Sequence, residues 1–375
     1  MTSVRKRTWT SPSGEEKTAW LVDYRDPAGK RRSKQFVRKK DADAWQVNAS
    51  FQVSQGTHTA DSQSITVERA AQLWLDRCRE PNAEGKYLED TTLAAYEQHV
   101  RLHINPLCGG MKLTKISRPM AEDYRSALLK TLSAPMAKRV LRSLRSIFAN
   151  AMRRGHIGQN VFDGVEAIRT VTRKEELIIP TKAELSAVVN TAAESDNPMV
   201  EPLVMSMIFT GLRASELRGL LWSAVDLEKK LLSVTRRADA RGNIGPPKTK
   251  AGKRVIPLPL QTVKTLKRWK LRCPPSELGL VFPSLNGKVM SHNYMLKNLI
   301  RPVLETAKTN KAYGLHAFRH ATASLWIEQQ VQPKRISVWM GHSSINVTYD
   351  IYGHLFDQVD ADHGAANAIE RGLLA

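Results

Sequence analysis

Four short stretches between residues 210 and 354 carry side chains that suit chemistry on a phosphodiester. They read TGLRASEL (210–217), PKTKAGKRVIPL (247–258), LHAFRH (315–320), and MGHSS with YGH (340–344 and 352–354). In chain order they supply Arg, Lys, His-x-x-Arg, Gly-His and Tyr. Guanidinium and imidazole groups can hold the non-bridging oxygens as charge builds in the transition state. A lysine can protonate the leaving oxygen and a tyrosine can attack, so these residue types allow metal-free phosphodiester cleavage.

Each stretch taken alone also has an ordinary structural interpretation. Arg213, near a helix N-terminus, suits phosphate binding, but a surface ion pair with Glu216 one turn on explains it as well. The stretch 247–258 has the pattern of a β-hairpin, with Ala-Gly in its turn and Lys248 on its first strand. A lone histidine after a glycine, such as His342, is more often structural than catalytic. Only the combination of the stretches is informative.

Two histidines raise the question of a metal site. His316 and His320 are four residues apart, the spacing of the zinc-binding pair in metalloproteases. However, Ala317 stands where that motif needs its catalytic glutamate, and Arg319 lies in the same turn, where its charge would repel a dication. The three cysteines are widely spaced, which argues against a cysteine-based zinc site and a disulfide framework. We therefore predict no metal and no other cofactor.

A basic stripe marks the helix predicted from about 135 to 154. The apolar face of this helix comprises Leu141, Leu144, Phe148 and Met152. A second face carries the basic residues Lys138, Arg142, Arg145 and Arg153. Solvated faces usually mix charges of both signs, and no acidic residue interrupts 133–154. We therefore predict that this stripe contacts DNA phosphates.

The N-terminal segment has the pattern of a small sheet followed by a helix. Residues 20–24 alternate as a half-buried strand does, and a turn with Pro and Gly follows at 26–29. A basic strand is predicted at 30–37 and a helix at 39–52.

Two further boundaries follow from composition and capping. The stretch 54–64 is polar and aperiodic, which is typical of a linker. Helical patterns begin at Thr66, and one of them is predicted to end before Pro106. Thr181 and Glu184 have capping-box spacing, which opens the last part of the chain.

The composition indicates a polyanionic partner. Of the 375 residues, 57 are Lys or Arg and 36 are Asp or Glu, so the formal net charge is +21. Such a surplus attracts nucleic acid, although ribosome-associated and membrane-surface proteins are also basic. No window approaches 18 consecutive apolar residues, which argues against a membrane-spanning helix, and the N-terminus lacks a signal-peptide pattern. We expect a cytoplasmic, nucleoid-associated protein.

The chain closely resembles the tyrosine recombinases, specifically phage-type or genomic-island integrases, in the order and wording of TGLRASEL, KTKAGKRVIPL, LHAFRH, MGHSS and YGH. The resemblance implies a multidomain fold of three parts. These are a small α+β N-terminal arm-binding domain (1–60), an all-α core-binding domain (65–170) and a mainly α catalytic domain with a small antiparallel β-sheet (175–375).

The resemblance also implies which residues bind the phosphate. Arg213 and Arg319 would clamp the scissile phosphate, and His342 would donate a hydrogen bond to it. Glu216 would orient Arg213 or His316.

Further implied roles concern proton transfer and attack. Lys248 would be the general acid for the 5′-oxygen, and His316 would assist proton transfer. Tyr352 would attack and leave a 3′-phosphotyrosine and a free 5′-hydroxyl. Tyr349, three residues earlier, is the competing nucleophile, but Tyr352 precedes Gly353 in the Tyr-Gly-His string. Tyr349 is expected to be a packing residue on the same helix.

The implied function is that of a site-specific DNA recombinase that integrates or excises a prophage or genomic island without metal or ATP. Its partners would be double-stranded DNA at attachment sites and three further protomers in a tetramer on a four-way junction. An excision factor and a host DNA-bending protein complete the expected partners. The tail after Tyr352 is expected to dock on a neighbouring protomer.

Three alternative functions remain at this point, one of them a metal-dependent nuclease, which activity in the presence of EDTA would exclude. A type IB topoisomerase-like relaxing enzyme uses the same chemistry, and a non-catalytic DNA-binding regulator has similar basic stripes. The arm-like segment 1–60 favours integration over relaxation, because it offers a second DNA contact. A regulator does not need the full set of catalytic residue types.

Overall fold

The computed structural model describes residues 3–26, 29–56, 58–83, 85, 87–167 and 178–353. The chain divides into two compact units, Met1–Arg173 and Lys174–Ala375. The first unit contains both segments that are expected to bind arm and core DNA, and the boundary between them stays a prediction. The tail expected to dock on a neighbouring protomer lies outside the described residues. Among the helices that are described, none is long and apolar enough to span a membrane.

The first unit begins with a three-stranded antiparallel sheet and one helix. Its elements are β1 (Ser3–Thr10), β2 (Glu16–Arg25), β3 (Arg31–Phe36) and α1 (Lys39–Ser54). β2 is the central strand and carries the buried residues of the sheet, Leu21, Val22 and Tyr24 among them. The sequence predicts β2, β3 and α1 but misses β1. As a largely exposed edge strand, β1 has no apolar alternation that a pattern search could find.

Several described residues of the stretch 54–64, which is expected from its composition to be a linker, are packed against neighbouring residues. The ring of His58 meets the rings of Tyr24 and Trp45 edge-on, with centroid distances of 4.9 and 5.9 Å. Ala60 is buried, and the Asp61 carboxylate is ion-paired on two sides. His58 and Asp61 contact residues of the sheet, and Asp61 also pairs with Lys115. A polar composition therefore does not make this stretch a flexible linker.

The rest of the first unit is mainly helical. Its α-helices are α2 (Val67–Arg79), α3 (Asp90–His99), α4 (Arg118–Thr131) and α5 (Ala134–Arg153). The predicted apolar face of α5 is confirmed for Leu141, Leu144 and Phe148, which are buried in the core shared with α2. Met152, in contrast, is 41% exposed, and its neighbour Ala151 is buried instead. The burial stripe therefore drifts by one residue along this helix.

The helix that begins with α3 does not end before Pro106. It continues from Val100 to Gly109 in a wider winding, with Pro106 inside it. Proline lacks an N–H and its ring crowds the preceding turn of an ordinary α-helix. A wider turn accommodates both, and this is why the proline does not stop the helix as predicted.

Helices dominate the second unit. They are α6 (Lys182–Ala193), α7 (Val200–Thr210), α8 (Ala214–Arg218), α9 (Leu260–Arg272), α10 (His292–Tyr294), α11 (Arg301–Thr306), α12 (Leu315–Glu328), α13 (Pro333–Met340) and α14 (Ile345–Tyr352). The predicted capping box of α6 is confirmed, because the Thr181 hydroxyl accepts from the Glu184 amide and the Thr181 amide donates to the Glu184 carboxylate. α7 is buried on nearly all sides.

Two small antiparallel sheets complete the second unit. One has the order β4 (Val225–Asp226), β5 (Leu231–Val234), β8 (Arg254–Pro257), and the other pairs β6 (Arg237–Ala238) with β7 (Ile244–Gly245). The predicted hairpin at 247–258 is wrong, because β8 pairs with β5 and Lys248 lies in a loop. Pro246 and Pro247 lack the amide hydrogens that a strand leading into Lys248 would need.

Candidate active site

A single carboxylate, that of Glu216 on α8, lies at the centre of the site. The guanidinium of Arg254 donates to both of its oxygens, at 2.9 and 2.8 Å. Arg213 adds a side-chain bond of 2.9 Å and a backbone N–H bond of 2.9 Å. Burial by itself raises the pKa of Glu216, but the bonds and charge of Arg254 and then Arg213 outweigh it and lower that pKa. The carboxylate is therefore ionised and holds two arginines in place.

Two glycines at helix ends place their carbonyls against Arg319 and Arg213. Gly211 ends α7 and Gly341 ends α13, each in the left-handed region with φ of 59° and 64°. The carbonyl of Gly211 accepts from Arg319, and that of Gly341 accepts from the Nη2 of Arg213 at 2.9 Å. A Cβ on Gly341 would lie 3.0 Å from Nη1 of Arg254. Glycine is needed here for both its backbone conformation and its lack of a side chain.

The cluster carries more positive than negative charge. Three guanidiniums, those of Arg213, Arg254 and Arg319, surround one carboxylate. Burial and then the charge of Arg213 lower the pKa of Arg319 to about 9. The side chain of Arg213 is 35% exposed, so the surplus charge is reachable from solvent. Such an arrangement suits an anion with several oxygens, as a phosphodiester has.

Two histidines flank the arginines. His342 follows Gly341, and its Nδ1 lies 2.8 Å from the Thr348 hydroxyl. Burial and then Arg319 lower the pKa of His342 to about 4, so its ring is neutral near pH 7. His316, in the first turn of α12, is exposed, and its pKa is lowered first by desolvation and then by Arg319. Both rings therefore lie in the field of the arginine cluster.

Of the two tyrosine candidates, Tyr352 is the one inside the site. Its ring is fully buried and its hydroxyl lies 2.6 Å from Nδ1 of His320. Burial raises the pKa of Tyr352 to about 12, against the opposing effect of the nearby Arg319. Tyr349 is 47% exposed on the same helix. This is the reverse of the packing role expected for Tyr349, and it leaves Tyr352 as the candidate nucleophile.

Other predicted site residues lie outside this cluster. Lys248 is exposed on its loop, and none of the contacts described above includes it. All four basic residues of the α5 stripe are exposed, but in the first unit. Within that stripe Arg145 is already ion-paired, its Nε lying 2.7 Å from Oδ1 of Asp163. Their roles in catalysis and DNA binding stay predictions. Among the described residues, no group of three or more His, Cys, Asp or Glu side chains could hold a metal ion.

Residues 180–359 match the phage integrase family, and this range covers the arginine cluster and Tyr352. The chain therefore carries a phage integrase domain. It is a tyrosine site-specific recombinase, an enzyme that breaks and rejoins DNA.

Relatives of this recombinase extend over most of its length. A tyrosine recombinase XerC-like protein of Caldanaerobacter subterraneus subsp. tengcongensis is 26% identical over 360 residues, which cover 88% of this chain and 90% of the relative. The ICEBs1 integrase of Bacillus subtilis is 24% identical over 312 residues, 79% of this chain and 80% of the relative.

Solved structures share the fold of this recombinase. The Tn1549 transposon integrase in complex with a circular intermediate DNA has a TM-score of 0.68 at 20% identity, covering 81% of this chain and 100% of that chain. A lambda integrase dimer bound to a COC′ core site has a TM-score of 0.60 at 18% identity, covering 94% and 97%. A multidomain recombinase fold, mostly helical with small antiparallel sheets, is thereby supported, in agreement with the expected fold class.

Two residues of the recombinase site were missed by the sequence reasoning. Arg254 lies within the stretch 247–258 and occupies an inward position of β8, in which buried and exposed residues alternate. An arginine on the inward face of a short strand is a signal that could have found it. His320 was considered only as a zinc ligand, yet it shares the i, i+4 face of His316, and their rings meet at 5.4 Å.

Proposed function

We propose that this recombinase integrates or excises a mobile element by attack of Tyr352 on a DNA phosphate held by Arg213 and Arg319. The observation that carries the proposal is the buried Tyr352 hydroxyl beside an arginine cluster with surplus positive charge. A nucleophile and an anion-binding group are thus supplied by neighbouring elements, α14, α12 and the N-terminus of α8.

The chemistry follows from these groups. The Tyr352 oxygen forms a bond to phosphorus while the bond to the 5′-oxygen breaks, giving a 3′-phosphotyrosine. The arginines hold the non-bridging oxygens as negative charge builds on them. A second 5′-hydroxyl then attacks the phosphotyrosine and restores the phosphodiester. Because the phosphotyrosine conserves the energy of the broken bond, rejoining needs no ATP.

The test of the nucleophile uses a nicked duplex made from the DNA junction beside the element that carries the gene. The nick releases the 5′-fragment and traps the covalent complex. We expect an adduct on the peptide that contains Tyr352, lost in Tyr352→Phe and kept in Tyr349→Phe. An adduct mapped by mass spectrometry to Tyr349 contradicts the assignment.

Lys248 is proposed as the acid that protonates the leaving 5′-oxygen. It lies on an exposed loop a few residues before Arg254, whose guanidinium belongs to the arginine cluster. Lys248→Ala should cleave poorly but recover on DNA with a 5′-bridging sulfur, because a thiolate leaves without a proton. Without recovery, the acid must be sought elsewhere, with His316 and Lys250 next.

Assembly and partners form the remaining part of the proposal. Recombination exchanges strands in pairs, which requires four protomers, and one structural neighbour is described as a lambda integrase tetramer bound to a Holliday junction. We propose that residues 1–60 bind arm DNA and 65–170 core DNA, with an excision factor and a host DNA-bending protein as accessory partners in the cytoplasm.

The division of labour between arm and core is tested with a fragment that begins at residue 65. It should still cleave core sites, because the arginine cluster and Tyr352 are intact, but integrate poorly. Integration by the fragment at the rate of the full chain would exclude the arm role.

A further inference from the structure

We propose that His320 is the base that takes the hydroxyl proton of Tyr352 during attack and returns it during rejoining. The inference rests on the proposed function, since it assigns the fate of the proton that Tyr352 must lose. Neither the roles implied by the family resemblance nor the metal question assigns this residue a part in the reaction.

The geometry carries the proposal. Nδ1 of His320 lies 2.6 Å from the Tyr352 hydroxyl oxygen, within the range that proton transfer requires. The two rings, on α12 and α14, have centroids 5.8 Å apart. Tyr352 is fully buried in a small apolar cluster with Ile336 and Met340 among its members. Bulk water therefore does not reach the hydroxyl in this state, and Nδ1 of His320 is placed to accept its proton.

The protonation states suit a base that waits for its substrate. Burial, then His316 and Arg319, lower the pKa of His320 to about 4, so the ring is neutral near pH 7. Burial raises the pKa of Tyr352 to about 12, so its hydroxyl keeps its proton. With hydrogen on Nε2, Nδ1 of the neutral ring offers a lone pair to that hydroxyl. His342, across the site, is neutral as well.

Binding of DNA changes this balance. The titratable groups that face His320 carry no negative charge before DNA binds. They are His316 and Arg319 on its own helix, Tyr352 on α14 and His342 after α13. A phosphate held by Arg319 brings negative charge, which offsets the guanidinium and favours an imidazolium at His320. Nucleophile activation is thereby coupled to the arrival of the phosphate.

The step balances in atoms and charge. The O–H bond of Tyr352 breaks and an N–H bond forms at Nδ1 of His320, while the tyrosine oxygen bonds to phosphorus. The bond from phosphorus to the 5′-oxygen breaks, and that oxygen takes its proton from the general acid. In rejoining, the imidazolium gives the proton back to the departing tyrosine oxygen.

The experiment measures single-turnover cleavage of the nicked junction duplex by the full chain. His320→Asn keeps a polar atom near the position of Nδ1 but is not a base, and we expect its cleavage to be about 100-fold slower. DNA with a 5′-bridging sulfur should not rescue His320→Asn, because the defect is in the nucleophile, whereas it should rescue Lys248→Ala. Tyr349→Phe is the control and should cleave normally.

The pH profile separates a base from a structural histidine. Between pH 6 and 9 the wild-type rate should be nearly flat, because neutral His320 is already present. The His320→Asn rate should rise about tenfold per pH unit, since only the tyrosinate then attacks. His320→Gln provides a second variant if His320→Asn unfolds.

Each outcome of these measurements decides for or against the assignment of His320. Wild-type cleavage by either folded variant overturns the proposal, and so does a slow variant with the wild-type pH profile or with rescue by sulfur. Absence of any Tyr352 adduct in the wild-type protein refutes the proposed function itself. A slow, sulfur-insensitive variant with the steep profile supports the assignment of His320.

Discussion

Glu216 in the second unit and Asp61 in the first unit each form ion pairs with two basic side chains. The two carboxylates differ chiefly in how deeply they are buried. Glu216 lies between Arg213 and Arg254 with its side chain 2% exposed. Asp61 lies between Lys34 and Lys115, at 3.0 and 2.7 Å, with its side chain 33% exposed. Glu216 holds two arginines of the candidate active site. Asp61 ties the stretch 54–64 to the sheet through Lys34 and to the helical part of the first unit through Lys115.

The difference in burial determines how much each carboxylate contributes to stability. Removing one partner of a buried pair leaves an uncompensated charge, while water takes over for the partner of an exposed pair. Arginine suits the buried site, because its planar fork meets both oxygens of Glu216, and lysine suffices at Asp61. We therefore expect the same type of substitution to have very different consequences in the two places.

The largest expected effect is that of Glu216→Gln. The amide keeps the shape but leaves Arg254 buried without a carboxylate, which should lower the free energy of unfolding by about 3–5 kcal/mol. Cleavage of the nicked duplex should be lost, since the position of Arg213 depends on the same group. Urea unfolding and adduct formation measure the two effects.

A matched control for this change is Glu201→Gln. Glu201 accepts two bonds from Arg268, at 2.8 and 2.9 Å, but that guanidinium is 64% exposed. Its loss should cost under about 1 kcal/mol and leave cleavage unchanged. Equal costs for the two variants would contradict the assigned importance of burial.

A smaller but clear effect is expected for Arg254→Lys. Lysine keeps the charge but cannot bond both oxygens of Glu216 and the Trp339 carbonyl together, so a loss of about 1.5–3 kcal/mol is expected. Cleavage should fall while the adduct stays on Tyr352. Lys253→Gln, at the exposed neighbouring position, is the control. Unchanged unfolding in Arg254→Lys would mean that charge alone holds Glu216.

The sequence predicted some residues of the candidate active site and not others. Arg213, Glu216, Arg319 and Tyr352 were predicted from motifs that resemble those of the tyrosine recombinases. The structure brings them together, and their roles stay predictions. Arg254 was missed because its importance arises from pairing across the fold, between β8 and α8. His320 was missed for a similar reason, since its partner Tyr352 is brought to it by α14.

The fold shows the same limit. Elements with a strong apolar pattern, such as α5 and β2, were predicted, and the capping box of α6 located its start. β1 was missed because an exposed edge strand lacks that pattern. The predicted hairpin at Lys248 was wrong, because β8 pairs with β5 and two prolines precede Lys248. The predicted helix end at Pro106 was wrong, because a wider winding accommodates the proline. The stretch 54–64 was predicted to be a linker, because its sequence does not show the distant residues that it contacts.

A modest, pH-dependent effect is expected for Asp61→Asn. Partial burial raises the pKa of Asp61, but hydrogen bonds from Lys115 and Lys34 outweigh it and lower that pKa from 3.8 to about 2. A depressed carboxyl pKa stabilises the fold above the unfolded value, and this contribution is lost as the pH falls from about 4 to about 2.

At neutral pH the variant should lose about 0.5–1 kcal/mol and keep its cleavage activity, because Asp61 lies in the first unit. The difference in urea midpoint between wild type and variant should shrink from pH 4 to pH 2. Glu277→Gln, an exposed change, should show no such trend. A constant difference at all pH values would assign the effect to the amide rather than to charge.

The smallest effects are expected on α5. Its ion pair is more exposed than the ion pairs of Glu216 and Asp61. Arg145 and Asp163 have side chains 51% and 61% exposed, so their pairing adds little stability. If the stripe contacts DNA phosphates, Arg142→Gln should weaken binding to all duplexes alike and reduce the slope of log affinity against log salt by about one. Arg145→Gln should reduce that slope less, because Asp163 already offsets its charge. Fluorescence anisotropy in a salt series measures both, and a loss confined to one DNA sequence would mean that the stripe reads bases rather than phosphates.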